Sequence, residues 1–199
     1  MNIIIAAVGG QGALLASRVI GQVAMGQGYE VKLSEVHGMS QRGGSVISFV
    51  RYGSNISSPV VEKGSADFIL GLELLEAARY IDYLKVNGTI ICNTQRIAPM
   101  TVITGAQKYP ESIIDDLKKL PITIYTLDAL TLAREAGNVK TVNSVILGSF
   151  AGLSSIDFKE WQEGLKNSVP QRFHDANLKA LKSGFDALQG SRQTTSERG

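Results

Sequence analysis

Six consecutive apolar residues, Ile3 to Val8, run into Gly9-Gly10-Gln11-Gly12, after which Leu14, Leu15, Val19, Ile20 and Val23 recur at helical spacing. A strand apolar at every position has to be covered on both faces, and a parallel sheet flanked by helices does that. Strand, glycine turn and helix in this order also open a dinucleotide-binding unit. The first glycine of the G-x-G-x-x-G pattern is replaced here by Ala7. The free N–H groups and positive dipole end of the helix after Gly12 would face an anion held at the turn. A tight turn that needs glycine only for packing is the alternative.

The alternation continues along the chain. Gly28 ends the first helix, and Glu30 to Ser34 begins a second strand that a right-handed crossover would set parallel to the first and beside it. Ser45 to Tyr52, Asp67 to Leu72, Thr89 to Asn93 (after an Asn87-Gly88 turn) and Ile122 to Leu127 read as further strands. Helices are expected over Glu73 to Leu84, Pro110 to Leu120, the Asp128 cap to Ala136, Thr141 to Gly152, Ser155 to Lys166 and Asp175 to Leu188. Pro99 to Ala106 reads as irregular. The expected fold is α/β: a doubly wound, mostly parallel Rossmann-like sheet with additional C-terminal helices. A single domain is expected over 1–189, helical over about 141–189, with the polar stretch 190–199 a flexible tail.

Between the second and third strands lies E-V-H-G-M-S-Q-R-G-G-S-V, Glu35 to Val46. Loops at the carboxyl ends of strands are where binding groups are mounted, although an ordinary surface connection is the plainer reading. If both glycine loops leave adjacent parallel strands, they face one crevice. Gly9, Gly10, Gln11 and Gly12, with the backbone N–H groups from Gly10 to Gly12, would then meet Ser40, Arg42, Gly43 and Gly44 around a phosphate-bearing ligand, with Arg42 as a bidentate donor. His37 and Gln41 are the catalytic candidates, and His37 has no evident relay partner. Glu35 stands where a nucleotide-binding fold holds a ribose hydroxyl, whereas Glu73 reads foremost as an acid matched to a helix dipole. No nucleophile-elbow pattern accompanies Ser40 or Ser45, so hydrolase chemistry has little support.

The 199-residue chain has a net charge of +2 with its basic and acidic residues intermingled, which argues against nucleic acid as a partner. Its one cysteine, Cys92, sits in an apolar strand, and His37 and His174 are the only histidines. Neither a self-contained iron–sulfur site nor a protein-built metal centre is expected from that set. No apolar run approaches the roughly 20 residues of a membrane span, and no signal-peptide pattern opens the chain, so a cytoplasmic protein is expected.

Gly9 to Ser17 (G-G-Q-G-A-L-L-A-S) together with Glu35 to Val46 resembles the gamma-type domain of the 2-oxoacid:ferredoxin oxidoreductases, and within that family its indolepyruvate branch. Ser58-Pro59, Gly64 to Asp67, Gly71 to Ala77 and Asn143 to Gly148 extend the likeness over most of residues 1–152. The resemblance implies that an aryl pyruvate and coenzyme A give an acyl-CoA and carbon dioxide, with electrons passing to ferredoxin, an iron–sulfur acceptor. It also implies a larger alpha subunit that carries thiamine diphosphate, Mg and iron–sulfur clusters, none of them held by this chain alone. Coenzyme A is then a co-substrate at or near the glycine crevice. A homodimer and a dimer of heterodimers both stay open. So do another 2-oxoacid such as pyruvate or 2-ketoisovalerate, a stand-alone Rossmann nucleotide-binding protein, and a purely structural subunit.

Overall fold

The computed structural model describes residues 1–37 and 44–196, with side chains for 1–36 and 44–191. The chain begins β1 (Asn2–Val8), α1 (Ala13–Gly26), β2 (Glu30–His37), β3 (Ser45–Gly53), β4 (Ala66–Gly71), α2 (Leu74–Arg79) and β5 (Leu84–Asn93). It continues with α3 (Met100–Ile103), α4 (Ile113–Leu117), β6 (Thr123–Leu127), α5 (Ala129–Glu135), α6 (Val142–Ala151), α7 (Phe158–Ser168) and α8 (His174–Ser196). The strands form one mixed sheet in the order β2-β3-β1-β4-β5-β6. β1, β4, β5 and β6 pair in parallel, while β3 runs antiparallel to both β1 and β2.

The expectation that β2 lies beside β1 is therefore corrected: β3 is inserted between them. Packing gives the reason. β3 buries five consecutive residues, Val46 to Val50, which demands a neighbour on each side and cover on both faces. β2 carries Glu30, Lys32 and Ser34 along its length, and charged or polar side chains suit an edge strand. Because β2 is antiparallel to β3, and β3 to β1, the carboxyl ends of β1 and β2 still reach the same rim of the sheet.

Other elements shift in extent. Asn87-Gly88 is not a turn before a strand but an irregularity within β5, where Asn87 has φ 61° and the register against β4 slips. The helix expected to begin at Glu73 is short, α2 giving way to a 3-10 turn at Ile81–Tyr83. Pro99 to Ala106 contains the four-residue α3. The cap of α7 is Asp157, which accepts from the Lys159 N–H, rather than Ser155. The last helix runs past Leu188 to Ser196, into the stretch expected to be a tail.

Alternate residues of β1 serve two layers, as the period of a strand requires. Ile3, Ile5 and Ala7 pack under α1 and α5 to α8, whereas Ile4 and Ala6 pack under α2 and α4. Each such buried isoleucine contributes on the order of 1.5–3 kcal/mol. α6 is buried at every residue, so it forms the centre of the larger layer. It meets α8 at a glycine on each side: a Cβ on Gly148 would fall 1.8 Å from the Leu181 carbonyl oxygen, and one on Gly184 would fall 1.9 Å from that of Val145.

Candidate functional site

The turn after β1 is tied down by its own polar groups. The Gln11 carboxamide accepts from the Val8 N–H at 2.8 Å and donates to the Leu72 carbonyl at 3.0 Å, stapling the carboxyl end of β1 to that of β4. The Gly9 N–H donates to the Gly44 carbonyl at 2.8 Å, joining the turn to the root of β3. Gly10 and Gly12 have φ 99° and 84°, in the left-handed region that side chains rarely adopt. Gly12 is the N-cap of α1, so no side chain caps the helix, and no acid occupies its first turn. The 14-residue helix thus presents its positive end uncovered by any counter-charge of its own.

That end opens into a cleft of about 410 Å³ lined by Val8, Gly9, Gly10, Gly12, Ala13, Leu14, Glu35 and Val46. Glu35 faces it from β2 and accepts from the Ser48 hydroxyl at 3.1 Å, which leaves further acceptor capacity on its carboxylate. On the other side of the Val8 rim lies a hollow of about 540 Å³ lined by Gly44, Ser45, Glu76, Arg79 and the segment Ile97 to Ile103. There Glu76 accepts from the Ser45 hydroxyl at 2.5 Å and pairs with Arg79 at 3.1 Å. Burial raises the Glu76 carboxyl above its ordinary range, against the pull of Ser45 and Arg79.

Glu73, fully buried, accepts from the N–H groups of Glu76 (2.8 Å) and Ile97 (3.1 Å) and from the Tyr109 hydroxyl (2.6 Å). It caps α2 and braces two loops, so the helix-end reading holds and its carboxylate does not line the cleft. Cys92 is also fully buried, its thiol pushed well above the ordinary range by burial and by nearby Glu73.

Of the residues expected around a phosphate, Gly9, Gly10 and Gly12 line the cleft together. The Gln11 side chain is committed to the scaffold, and Gly44 lines the neighbouring hollow while bonding to Gly9. Ser40, Gln41, Arg42 and Gly43 lie outside the described residues, and of His37 only the backbone is described, paired with Val46 at the end of β2. Two contributors were missed. Leu14, 44% exposed, lines the cleft from the first turn of α1. Asn143 reaches the turn from α6, donating to the Gly12 carbonyl at 3.2 Å. The asparagine stands within Asn143 to Gly148, one of the stretches that carry the sequence resemblance, but nothing local ties it to a residue 131 positions away.

The sequence matches the family described as pyruvate ferredoxin/flavodoxin oxidoreductase over residues 2–187. It is 41% identical over 195 residues to the indolepyruvate oxidoreductase subunit IorB of Thermococcus kodakarensis, covering 94% of this chain and 96% of that protein. The fold is similar to the gamma subunit of a keto/oxoacid ferredoxin oxidoreductase from Geobacter sulfurreducens, with a TM-score of 0.72 at 21% identity over 95% of this chain and 98% of that one. It is similar also to the 2-oxoglutarate:ferredoxin oxidoreductase of Magnetococcus marinus, solved with 2-oxoglutarate, coenzyme A and succinyl-CoA bound. There the TM-score is 0.72 at 18% identity, over 96% of this chain and 31% of that one.

Proposed function

The chain belongs to the pyruvate ferredoxin/flavodoxin oxidoreductase family and is a subunit of a 2-oxoacid:ferredoxin oxidoreductase; from that premise we propose that it serves the enzyme for indolepyruvate and receives coenzyme A in the cleft at the start of α1. The reaction cleaves the bond between the carboxylate and carbonyl carbons of an aryl pyruvate and forms a thioester with coenzyme A, releasing carbon dioxide, an aryl-acetyl-CoA and the thiol proton, while two electrons leave to ferredoxin. Identity of 41% along nearly the whole chain to a subunit named for indolepyruvate supports that substrate over pyruvate or 2-ketoisovalerate.

The observation that carries the ligand reading is the uncapped amino terminus of α1, opening through Gly10 and Gly12 into the cleft. A Cβ at Gly10 would meet nothing within 4 Å, so the backbone there is approachable from outside. The diphosphate of coenzyme A suits this end electrostatically, and Glu35 can accept from a ribose hydroxyl. Arg42, Ser40 and Gly43 are assigned to the same ligand on sequence grounds, and His37 and Gln41 remain the catalytic candidates on those grounds.

The residues present do not suit the redox cofactors. Cys92 is buried, its thiol pushed up by that burial and bonded to the Asn93 carbonyl at 3.1 Å, and among the described residues no group of three His, Cys, Asp or Glu is placed to hold a metal ion. We therefore assign thiamine diphosphate, Mg and the iron–sulfur clusters to a larger alpha subunit, where thiamine diphosphate would supply the decarboxylation chemistry. What this chain contributes is binding: it fixes the anionic end of coenzyme A at the rim of the sheet. Among the described residues no helix is long and apolar enough to cross a membrane, and we place the complex in the cytoplasm.

Leu14 tests the reading with two signs of charge. A glutamate in the first turn complements the helix dipole, so Leu14→Glu is expected to fold normally yet to repel a diphosphate by roughly 1 kcal/mol, about fivefold weaker coenzyme A binding. Leu14→Lys should change affinity in the opposite direction. Calorimetric titration of the two-subunit enzyme decides: equal affinity in the two variants removes the diphosphate from this cleft. Screening indolepyruvate and phenylpyruvate against pyruvate and 2-ketoisovalerate decides the substrate.

A further inference from the structure

Gln11 and Gly9 tether the glycine turn from nearby strands, but a third tether comes from the larger helical layer. Asn143 Nδ2 donates to the Gly12 carbonyl at 3.2 Å, and its Oδ1 accepts from the Ser144 N–H at 2.9 Å. The side chain is 3% exposed and has little freedom to choose other partners. The Gly12 carbonyl also accepts from the Ala16 N–H at 3.1 Å, the opening rung of α1. With both lone pairs engaged, that oxygen is held by α1 and α6. The fit is mutual: a Cβ on Gly12 would lie 2.6 Å from Asn143 Nδ2.

We propose that Asn143 is a positioning residue of the ligand cleft, holding the left-handed Gly12 turn so that the N–H groups of α1, and not a carbonyl, meet the ligand. The inference rests on the coenzyme A reading. Deeper along the same elements, the Ser144 hydroxyl donates to Asn177 Oδ1 at 2.7 Å, and Asn177 donates to the Phe173 carbonyl at 2.8 Å. Asn177, 7% exposed, joins α6 to α8 without a bond to the turn, so it is the control for a merely structural effect.

The test is calorimetric titration of coenzyme A into the two-subunit enzyme, with steady-state kinetics and thermal melts alongside. Asn143→Asp sets an oxygen against the Gly12 carbonyl, and is expected to raise both the dissociation constant and KM for coenzyme A about tenfold. kcat at saturating coenzyme A should stay within about twofold, because what is lost is binding. Asn143→Ala, which removes the donor without adding charge, should raise both by about threefold. Asn177→Ala should lower the melting temperature as Asn143→Ala does and leave coenzyme A affinity unchanged. If Asn177→Ala weakens binding as much as Asn143→Ala, general loosening explains both and the inference is overturned. It is also overturned if both Asn143 variants bind as wild type while Leu14→Glu weakens binding. If neither Leu14 nor Asn143 variants alter affinity, the coenzyme A reading has failed and the inference goes with it.

Discussion

Glu73 and Glu76 lie three positions apart at the start of α2, and the same local pattern gives them different work. Glu73 satisfies three donors in a fully buried setting, two of them from segments distant in sequence. Truncation leaves those donors unpaired, so Glu73→Ala is expected to cost about 3 kcal/mol or more in denaturant melts. Tyr109→Phe removes the hydroxyl's bond to the Glu73 carboxylate and should cost about 1.5–3 kcal/mol. A loss no larger for Glu73→Ala than for Tyr109→Phe would show that Glu73 braces nothing but Tyr109. Glu76 instead makes stability depend on pH. Its carboxyl is raised above the ordinary 4.5 by burial, with Glu73 adding to the rise and Ser45 and Arg79 opposing it. The folded chain therefore holds this proton more tightly than the unfolded one, and its stabilising contribution is complete below 4.5 and lost as pH rises through the folded value. Glu76→Gln cannot ionise and keeps an acceptor for Ser45. Its melting temperature relative to wild type should rise as pH goes from 4.5 toward neutrality, and a flat difference would contradict the raised carboxyl. Cys92, the one thiol, should not react with a thiol reagent until the chain is unfolded.

At the scale of elements, the α6–α8 crossing carries the sharpest consequence of packing. Since a methyl at Gly148 or Gly184 would overlap a facing backbone carbonyl, the helices must separate. Gly184→Ala is expected to destabilise by roughly 1–3 kcal/mol despite the better helix propensity of alanine. A melt showing stabilisation would mean that the helices do not sit this close. Nothing in the sequence around Gly148 or Gly184 announced the contact, because a close crossing depends on a helix more than thirty residues away. What was legible was periodic or chemical. The apolar run of β1 and the glycines after it placed the turn and α1, and the apolar stretch from Thr141 placed α6. Asp128 was readable as a cap and accepts from the Thr131 N–H at 3.0 Å. Strand order was not, since Ser45 to Gly53 extends equally well beside β2 alone or between β2 and β1. Only the fully buried Val46 to Val50 favours the interior place. Gly10 and Gly12 could be found in the cleft because a positive φ favours glycine locally. Asn143 could not, because a single long-range hydrogen bond leaves no periodic trace.

The two layers of the whole molecule are unequal. One face of the sheet is covered by five helices that share a core from Ile3 to Leu181, while the other is covered by the short α2 and α4 over Ile4, Ile69 and Ile90. Local opening follows buried apolar contact, so the layers should differ in how readily they come apart. The hollow beside Glu76 belongs to the thinner side, and its outer wall is α3, where Met100 and Ile103 are 66% and 65% exposed. The cleft at α1, by contrast, is anchored by Asn143 to the thicker side. Native-state hydrogen exchange should therefore rank the amides in a definite order. Those of β1 and α6 should exchange only through global unfolding, and those of α3 should exchange orders of magnitude faster through local opening. Amides of the first full turns of α1 should follow α6, because the turn that starts α1 is fixed to it. Were α3 to exchange as slowly as α6, the thin layer would be as tightly held as the thick one. Were α1 to exchange with α3 instead, the cleft at α1 would belong mechanically to the thin side of the sheet, and Asn143→Ala would leave its exchange unchanged.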